Sequence, residues 1–581
     1  MDNKELSKIF DEMAFLLEMD GENVFKVRAY KRLSEIFYSI DKNIFEMSDD
    51  ELIKIKGIGK GMLSHIKEIK ERGSFEEFDK LKQKYPSSLY ELSNIRGLGA
   101  KRIRILYEKL KIKTKDDLIK AIKNNKLRDI DGFGEKIEKS ILESIERGEN
   151  PSKRFLYHIA KLTALKIIDY IKGYGYKKVE FAGSLRRGKE TVGDIDILAV
   201  GGNKVIDIFL KNPYIEMVLS KGNLKASVVL KNGIQCDFRV FDEKSFGAAL
   251  CYFTGSKSHN IRIRELAIKK GYILNEYGLF KNNKSKTYIC GKTEEEIYEK
   301  LGLSYIPPEL REDLGEIELA LNAKIPKLVE LKDIKSDIHC HTSYTDGVNN
   351  IAEIVAYLSE RYQWFFISDH SIPLNFVKGL DFNKYIQTRN ELLSLRKNYR
   401  NIYFDRSIEL EVLKDGSLAY SLDELKNVSL VISAIHTSLN LNKKDQTERI
   451  IKALKNPYTD VVAHLTQRLF FKRDEMDLDY DLIFEEASKL RTIFEVNGQP
   501  ERLDLNDINL KKIKSLGLKV ILTSDAHSLD QFSFIEYSLN NARRAGLEKK
   551  DILNSFDFNE FVEYIKENRV KRGGFYENTS D

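Results

Sequence analysis

Two sets of residues in this chain could do chemistry. In the segment GSLRRGKETVGDID, Asp194 and Asp196 alternate along the strand-like run DIDILAV and so point to one face. Two carboxylates side by side repel unless a cation lies between them, and a divalent metal is the simplest remedy. Asp237, flanked by apolar residues in IQCDFRVF, is a third carboxylate that a neighbouring strand could bring to the same ions. Three acidic residues on adjacent strands are a two-metal layout for in-line phosphoryl transfer, one ion activating a hydroxyl and the other neutralising a leaving pyrophosphate. An Asp-x-Asp alone is commonly just a charged strand end. Here it follows Gly183-Ser184 and the pair Arg186, Arg187, with a further Asp downstream, and the combination is a strong signal.

The second set is made of histidines. Six of the nine follow strand-like runs in the C-terminal half: His339 and His341 (DIHCHTSYTDG), His370 (ISDHS), His436 (SAIH), His464 (VVAHL) and His527 (TSDAH). Asp346, Asp369, Glu409 and Asp525 hold similar places. One histidine at a strand end is usually a capped or core residue; six are not a chance arrangement. Mixed imidazole and carboxylate donors suit Zn²⁺, Mn²⁺ or Fe²⁺ in a cluster of two or three ions. Such a cluster lowers the pKa of a bound water and clamps a phosphodiester for hydrolysis. Cys340, between two of these histidines, should point to the opposite face as a small buried residue.

The elements that must position these residues are legible in outline. A chain of 581 residues exceeds a single core, and 42% hydrophobic with 32% charged residues describes a folded multidomain protein. Four cysteines without a CxxC spacing speak against disulfide stapling and a thiolate zinc site. No signal pattern or spanning apolar run is present, so the expectation is a cytoplasmic protein with no membrane partner.

Residues 1–150 read as short amphipathic helices, all-α. One pattern recurs there three times: Ile55-Lys56-Gly57-Ile58-Gly59, Ile95-Arg96-Gly97-Leu98-Gly99 and Ile130-Asp131-Gly132-Phe133-Gly134, each before a helical run. Glycines at i and i+2 permit a tight turn with positive φ and leave N–H groups of the next helix free for a phosphate oxygen. Residues 81–130 carry 14 basic against 5 acidic residues, a surface suited to a polyanion, although a solvated Lys-rich face would give the same count.

From about 155 the pattern turns to α plus β, with strands expected at 179–183, 194–200, 227–230 and 234–241. Pro307-Pro308 ends that region. Seven strand-like runs then alternate with helices, from SDIHC to KVILTS, and read as a parallel (β/α)7-type barrel with its site at the strands' C-terminal ends.

The three hairpins resemble helix-hairpin-helix motifs, which grip DNA without reading sequence. GS-x9-DxD, CDFRVF, Tyr252-Phe253-Thr254-Gly255-Ser256 and Asn260 resemble the palm and thumb of family X DNA polymerases, over about residues 1–315. HCHTSYTDG, SDHS and TSDAH resemble the polymerase and histidinol phosphatase (PHP) domain, over about 335–575. The architecture implied is an N-terminal helical domain with the first hairpin (1–85), helix-hairpin-helix fingers (86–150), a nucleotidyltransferase palm (151–242), a thumb (243–315), a linker (316–334) and a PHP phosphoesterase barrel (335–575).

The polymerase resemblance implies that Asp194, Asp196 and Asp237 bind catalytic Mg²⁺ or Mn²⁺. It also implies that Gly183, Ser184, Arg187 and Gly193 hold the triphosphate, and that Tyr252, Phe253, Gly255 and Asn260 contact the incoming nucleotide. Lys257 stands where vertebrate members carry an acidic residue. The PHP resemblance implies a nine-ligand set of His339, His341, Asp346, His370, Glu409, His436, His464, Asp525 and His527, none missing. Its local departures are Ser407 in SIELEV and HLTQR in place of His-Pro-Thr-Gly-Arg, expected to alter substrate fit more than metal binding. For DNA, the implied contacts are Lys26 and Tyr30 at a 5′-phosphate, and Gly57, Gly59, Gly97, Gly99, Gly132 and Gly134 along the backbone. The family's Schiff-base lysine position falls on His65, and its companion on Gly61.

The expectation is a monomeric, template-directed DNA polymerase acting with dNTPs on gapped or primed DNA, with a metal-dependent 3′–5′ exonuclease that also opens abasic sites or removes 3′-phosphates. Two alternatives stay open in the sequence. One is a template-independent nucleotidyltransferase, because GS-x9-DxD is shared with such enzymes; the other is a DNA end-binding scaffold with inactive centres.

Overall fold

The structure is a computed structural model. It describes residues 3–39, 43–55, 57–93, 95, 98–128, 130, 133–134, 138, 141–142, 154–374 and 377–575. The chain divides into two compact units, Met1–Lys153 and Arg154–Asp581. Among the described residues no helix is long and apolar enough to cross a membrane, and all four cysteines are free and buried.

The first unit is helical. In α1 (Asn3–Asp20), Leu6, Phe10, Met13 and Leu17 recur at helical spacing and are all buried. They pack with Tyr30, Leu33 and Phe37 of α2 (Val24–Ser39). The three repeated motifs make one and the same turn. The N–H of Ile58, Leu98 and Phe133 donates to the carbonyl of Ile55, Ile95 and Ile130 respectively, at 2.9–3.0 Å. The apolar residue between the two glycines is buried each time, which anchors the turn to the core. Helix α3 (Lys60–Arg72) follows Gly59 and α4 (Ala100–Leu110) follows Gly99.

The second unit begins with α5 (Tyr157–Gly173), which covers a five-stranded sheet. Its strands are β1 (Val179–Phe181), β2 (Asp194–Val200), β3 (Ile215–Lys221), β4 (Lys225–Leu230) and β5 (Gln235–Phe241). Their order is β1-β2-β5-β4-β3, and only β2 and β5 run parallel. The expected strand at 179–183 stops at Phe181, because Gly183 turns the chain into a short helix, Gly183–Arg186. Strand β3 was not foreseen: at the sheet edge its burial alternates between partial and exposed, so the run IEMVLSK lacks a continuous apolar signature. Helices α6 (Phe246–Thr254) and α7 (Lys257–Lys269) follow. A three-stranded antiparallel sheet of β6 (Tyr272–Asn275), β7 (Gly278–Lys281) and β8 (Tyr288–Cys290) comes next, also unforeseen.

The stretch expected to be a tether, 316–334, is largely built into the fold. Ile317 and Ala320 of a helical turn pack into the core beneath β7, and Val329 and Ile334 enter the barrel core.

The barrel has six regular parallel strands in chain order, not seven: β9 (Trp364–Ile367), β10 (Tyr403–Glu411), β11 (Leu430–Ala434), β12 (Val461–Val462), β13 (Ile493–Asn497) and β14 (Val520–Thr523). The seventh segment, SDIHC, lies between the two outer strands without becoming a regular strand. The N–H groups of Phe366 and Ser368 donate to Asp337 and Cys340, while His341 donates to Ala526, which joins the edges of the ring. Glu409 also departs from expectation, sitting inside β10 and not at its end.

Palm and barrel share one core, since Leu503 and Tyr537 pack among the palm's apolar residues. Charged groups complete the junction. Arg544, at the end of α8 (Ile535–Arg544), donates to the carbonyl of Arg187 at 2.7 Å, to Glu312 at 3.2 Å and to Asp507 at 2.6 Å. Arg468 pairs with Glu190 at 2.5 Å. Asn540 donates to the carbonyl of Gly188, where a Cβ would lie 2.0 Å from the Asn540 carboxamide oxygen, so only glycine fits.

Burial alone would raise the carboxyls of Glu312 and Asp507. Arg187 and Arg544 beside Glu312, and Arg544 with Lys189 beside Asp507, instead hold both at about 2. Their contribution to stability is therefore complete above their unfolded pKa values near 4 and disappears as pH falls from there towards 2, with a slope of up to about 1.4 kcal/mol per pH unit for each group. The thermal midpoint should drop steeply across that window, and Arg544→Met should flatten the drop while lowering the midpoint at pH 7. An acid profile identical in the variant and the parent would refute this assignment.

Candidate functional sites

In the palm, the parallel register of β2 and β5 places Asp196 directly beside Asp237, with Asp194 two residues earlier on the same face. Arg239 stands between the two strands' carboxylates, 3.1 Å from Asp196 and 3.5 Å from Asp237. Burial, and next the negative charge of Asp194, push the Asp196 carboxyl up to about 7. Asp194 is also raised, by burial and then by Asp237. Three carboxylates this close fit divalent cations by charge and by donor type.

Gly183 lies at φ +64°, and a Cβ there would meet a carboxylate oxygen of Asp196 at 2.7 Å, so the glycine is required for this approach. Gly183, Ser184, Arg187, Asp194 and Asp196 form one wall of a cavity of about 380 Å³, and Tyr252, Phe253, Gly255 and Asn260 form another. Asn260 holds this second wall by donating to the carbonyl of Tyr252 at 2.6 Å. Arg187 is fixed by Glu312 at 3.1 Å and by the carbonyl of Thr254 at 2.5 Å. Gly193 precedes Asp194 with open space where a Cβ would stand. Lys257 and Arg264 line the cavity as well. Arg264 was missed in the sequence, where it is one more basic residue on a helix; its spacing of four from Asn260 is the signal that could have found it.

In the barrel all nine expected residues converge. Glu409 is at the centre, with His370 at 2.6 Å, His464 at 2.8 Å, His436 at 3.1 Å, His339 at 3.6 Å and His341 at 3.7 Å. Asp525 lies 3.1 Å from His341. Asp346 lies 3.5 Å from His341, 3.4 Å from His370 and 3.3 Å from His527. Donor atoms of His341, Asp346, His370 and His527 are within 4.8 Å of one another, as are those of His339, His341 and Glu409, and those of His370, Glu409 and His436.

Nδ1 of His341 is buried and makes no hydrogen bond, and Nε2 of His339 has only carboxylate oxygens at 3.6–3.8 Å, as expected of atoms meant for a cation. Burial opposes charge on His370, yet Glu409 and Asp346 raise it to about 10. The same histidines hold Glu409 well below the usual carboxylate range against its burial. Asp369 is separate from this group: it takes Arg406, Thr342 and Thr345, and braces the loop. Cys340 is buried in an apolar cluster with Ile351, Phe365 and Phe404.

Two buried carboxylates that orient the rings were missed in the sequence. Glu495 of β13 meets Nδ1 of His339 at 2.6 Å, and Glu411 of β10 meets Nδ1 of His436 at 2.8 Å, each leaving Nε2 for a metal. A lone acidic residue in an apolar strand, as in TIFEV, was the available signal.

His464 fits less well as arranged. Arg473 and Arg502 donate to the carboxamide oxygen of Gln467, which turns the Gln467 amide nitrogen onto Nδ1 of His464 at 2.5 Å. That nitrogen then accepts, and the ring proton stands on Nε2, facing Glu409 at 2.8 Å. The departure from His-Pro-Thr-Gly-Arg thus reaches a candidate ligand as well as the cavity wall.

In the helical unit Gly57 has φ +112°, whereas Gly59 and Gly99 are extended, with open space where a Cβ would be. Only the first glycine of the described first turn needs left-handed freedom; the second keeps the approach to the helix N-terminus clear. No side chain caps α3 or α4 at that end. Gly134 is likewise open; Gly97 and Gly132 lie outside the described residues. Lys26 reaches solvent and pairs with Glu77, but Tyr30 is 1% exposed and its hydroxyl meets His65 at 2.9 Å.

A palm of three carboxylates beside a glycine-turned phosphate wall, joined to a His/carboxylate barrel, defines a nucleotidyltransferase fused to a metal-dependent phosphoesterase. Comparison with known proteins agrees. Residues 249–312 match the DNA polymerase beta thumb model, 1–75 a helix-hairpin-helix domain and 89–147 a SAM-like helix-hairpin-helix tandem. The DNA polymerase/3′-5′ exonuclease PolX of Bacillus subtilis (strain 168) is 33% identical over 577 residues, covering 98% of this chain and all of that protein. A repair DNA polymerase X of African swine fever virus is 36% identical over 23% of this chain and 82% of its own length. A probable phosphatase of Thermoanaerobacter sp. (strain X514) is 27% identical over 29% of this chain and 70% of its own. The chain belongs to the PolX family, the family X DNA polymerases that carry a PHP domain.

The position at which the family resemblance implies a Schiff-base lysine is held by His65. His65 stacks on Phe75 with ring centres 4.4 Å apart, and its ring nitrogen cannot form an imine. Deoxyribose-phosphate lyase activity should be weak or absent. Borohydride trapping on a gap bearing a 5′-deoxyribose phosphate tests this, and a strong covalent adduct that is lost in Lys60→Ala would overturn it and name the nucleophile.

Proposed function

We propose that this protein fills short gaps in DNA by template-directed addition of dNTPs and trims 3′ ends with its barrel, acting as a monomer in the cytoplasm. The observation that carries the reading is the pairing register that sets Asp196 against Asp237, opposite a cavity walled by Ser184 and Arg187, in the same chain as the nine-residue barrel shell. The barrel hydrolyses phosphodiesters at 3′ ends, and abasic sites or 3′-phosphates are further substrates of the same chemistry.

Asp194, Asp196 and Asp237 hold Mg²⁺ or Mn²⁺, and the barrel's nine residues hold two or three ions of Zn²⁺, Mn²⁺ or Fe²⁺. Bound there, such ions supply charge neutralisation on phosphate oxygens and a more acidic water or hydroxyl. The residues supply position. Arg187 and Ser184 take the triphosphate, Tyr252 and Phe253 stack against sugar and base, and Asn260 keeps that wall in place. Glu495 and Glu411 fix the ring orientations of His339 and His436. The hairpin turns present Gly59, Gly99 and Gly134 to the DNA backbone, an interaction that weakens with salt and ignores sequence.

Asp237→Ala should abolish nucleotide addition on a gapped primer and leave DNA affinity nearly unchanged; extension at a rate near that of the parent would remove Asp237 from the site. A His339→Ala, His341→Ala double change should eliminate metal-dependent 3′-end hydrolysis while sparing extension. Gapped, end-labelled duplex with Mg²⁺ or Mn²⁺ reads both activities at once, and omission of the template strand separates directed from untemplated addition.

A further inference from the structure

The barrel cavity of about 300 Å³ is not lined by metal-ligand candidates alone. Gln467, Arg473 and Arg502 form one side of it, together with Leu469. Both guanidinium groups donate to the single carboxamide oxygen of Gln467, each at 3.3 Å, and Arg473 is tied further by its Nε to the Gln467 carbonyl at 2.7 Å. Two like charges are thereby drawn together on one wall. Burial and the neighbouring Arg502 lower the basicity of Arg473, with no carboxylate acting against them. Three buried arginines elsewhere are each answered by an acid: Arg468 by Glu190, Arg544 by Asp507 and Arg389 by Asp405. A cationic pair left facing a cavity is complementary to an anion, and paired guanidiniums match the oxygens of a phosphate.

The pair is also displaced from the cation-binding side. Between it and Glu409 stand the Gln467 carboxamide and the full width of the His464 ring, whose Nε2 faces Glu409. The arginines and the convergent residues line the same cavity from different sides, so a strand can set one phosphate against each. Arg473 is exposed at the rim and Arg502 sits half-buried behind it, so the pair lines the way in.

We propose that Arg473 and Arg502 form a subsite for a second phosphate, the phosphodiester next to the one being cleaved, so that the barrel selects a nucleic-acid strand over a single phosphate ester. The inference rests on the nuclease reading above and deepens it. It assigns Gln467, the residue where the family motif has glycine, as the positioning residue that gathers the two guanidiniums.

The test uses the full chain with Mn²⁺ and two substrates: a single-stranded oligothymidylate labelled at its 5′ end, and bis(p-nitrophenyl) phosphate, which has one phosphate only. Arg473→Gln/Arg502→Gln should raise KM for the oligonucleotide at least tenfold and leave KM for the small diester within about twofold; because the arginines also set Gln467 against His464, any change in kcat should fall on both substrates alike. The dependence of log KM on log salt should become shallower by about 0.7, the share of one phosphate contact on a single strand. Arg473→Lys/Arg502→Lys should restore part of the affinity. Gap extension by the same preparation reports folding of the palm, and Arg473→Gln alone, at the exposed rim, repeats the measurement where the double change disturbs the fold. An unchanged KM for the oligonucleotide overturns the proposal, and so does an equal rise in KM on both substrates, which places the arginines at the reacting phosphate. If the parent hydrolyses neither substrate, the nuclease reading itself has failed.

Discussion

Buried carboxylates packed against one another are the constraint on which both centres of this protein depend. In the palm the constraint comes from strand pairing: a parallel register, fixed by apolar residues on the far face of the sheet, sets Asp196 beside Asp237 and brings Asp194 onto the same side. Burial and proximity then oppose ionisation, which pushes the Asp196 carboxyl up to about 7. Arg239 offsets part of the repulsion. The barrel solves the same problem by interleaving charges, with Glu409 ringed by five histidines and Asp346 by three. Glu495 and Glu411 do not crowd that centre; they hold the outer nitrogens of His339 and His436, so that the ring edges facing inward are the ones left to bind.

The same economy of charge joins the two catalytic regions. The loop that carries Ser184 and Arg187 faces the palm cavity on one side and rests on the barrel helix α8 on the other. Arg544 takes the carbonyl of Arg187, and Asn540 takes that of Gly188. Glu312 binds both Arg187 and Arg544, so a guanidinium of the cavity wall and a guanidinium of the barrel share one carboxylate. Breaking such a buried pair costs about 3–5 kcal/mol. The phosphate wall of the palm is therefore built partly from the barrel, and displacing α8 disturbs the position of Arg187.

The residues that do chemistry were far more legible in the sequence than the frame around them. Asp194, Asp196, Asp237 and the nine barrel residues stand at fixed offsets in short motifs, and the structure brings each set together. The strand β3 and the three strands β6 to β8 left no comparable trace, because edge and small antiparallel strands need no continuous apolar run. SDIHC has the apolar pattern of a strand but forms only isolated bridges, since the residues it must place, His339 and His341, turn inward at a seam between β9 and β14. Glu495, Glu411 and Arg264 left only faint signals for a different reason: each acts through a partner distant in sequence, or on a helix face that periodicity alone does not orient. Of the glycine repeat, the sequence conveyed the turn but not its division of labour, in which Gly57 supplies the positive φ and Gly59 only the clearance.

The segment HLTQR shows how two adjacent residues of one motif can serve different ends of a structure. Arg468 is 6% exposed and does not line the cavity; it pairs with Glu190 and Glu475 and donates to the carbonyls of Arg502 and Leu503. Gln467, one residue earlier, points the other way, with its amide on His464 and its carbonyl oxygen on Arg473 and Arg502. Gln467 adopts φ +55°, a conformation that glycine takes freely and a side chain takes at a cost. The strain is accepted where the side chain adds contacts that glycine cannot make. With glycine at this position His464 would lose its outer partner and the two arginines their common acceptor, so one substitution ties the basicity of a candidate ligand to the cationic wall beside it.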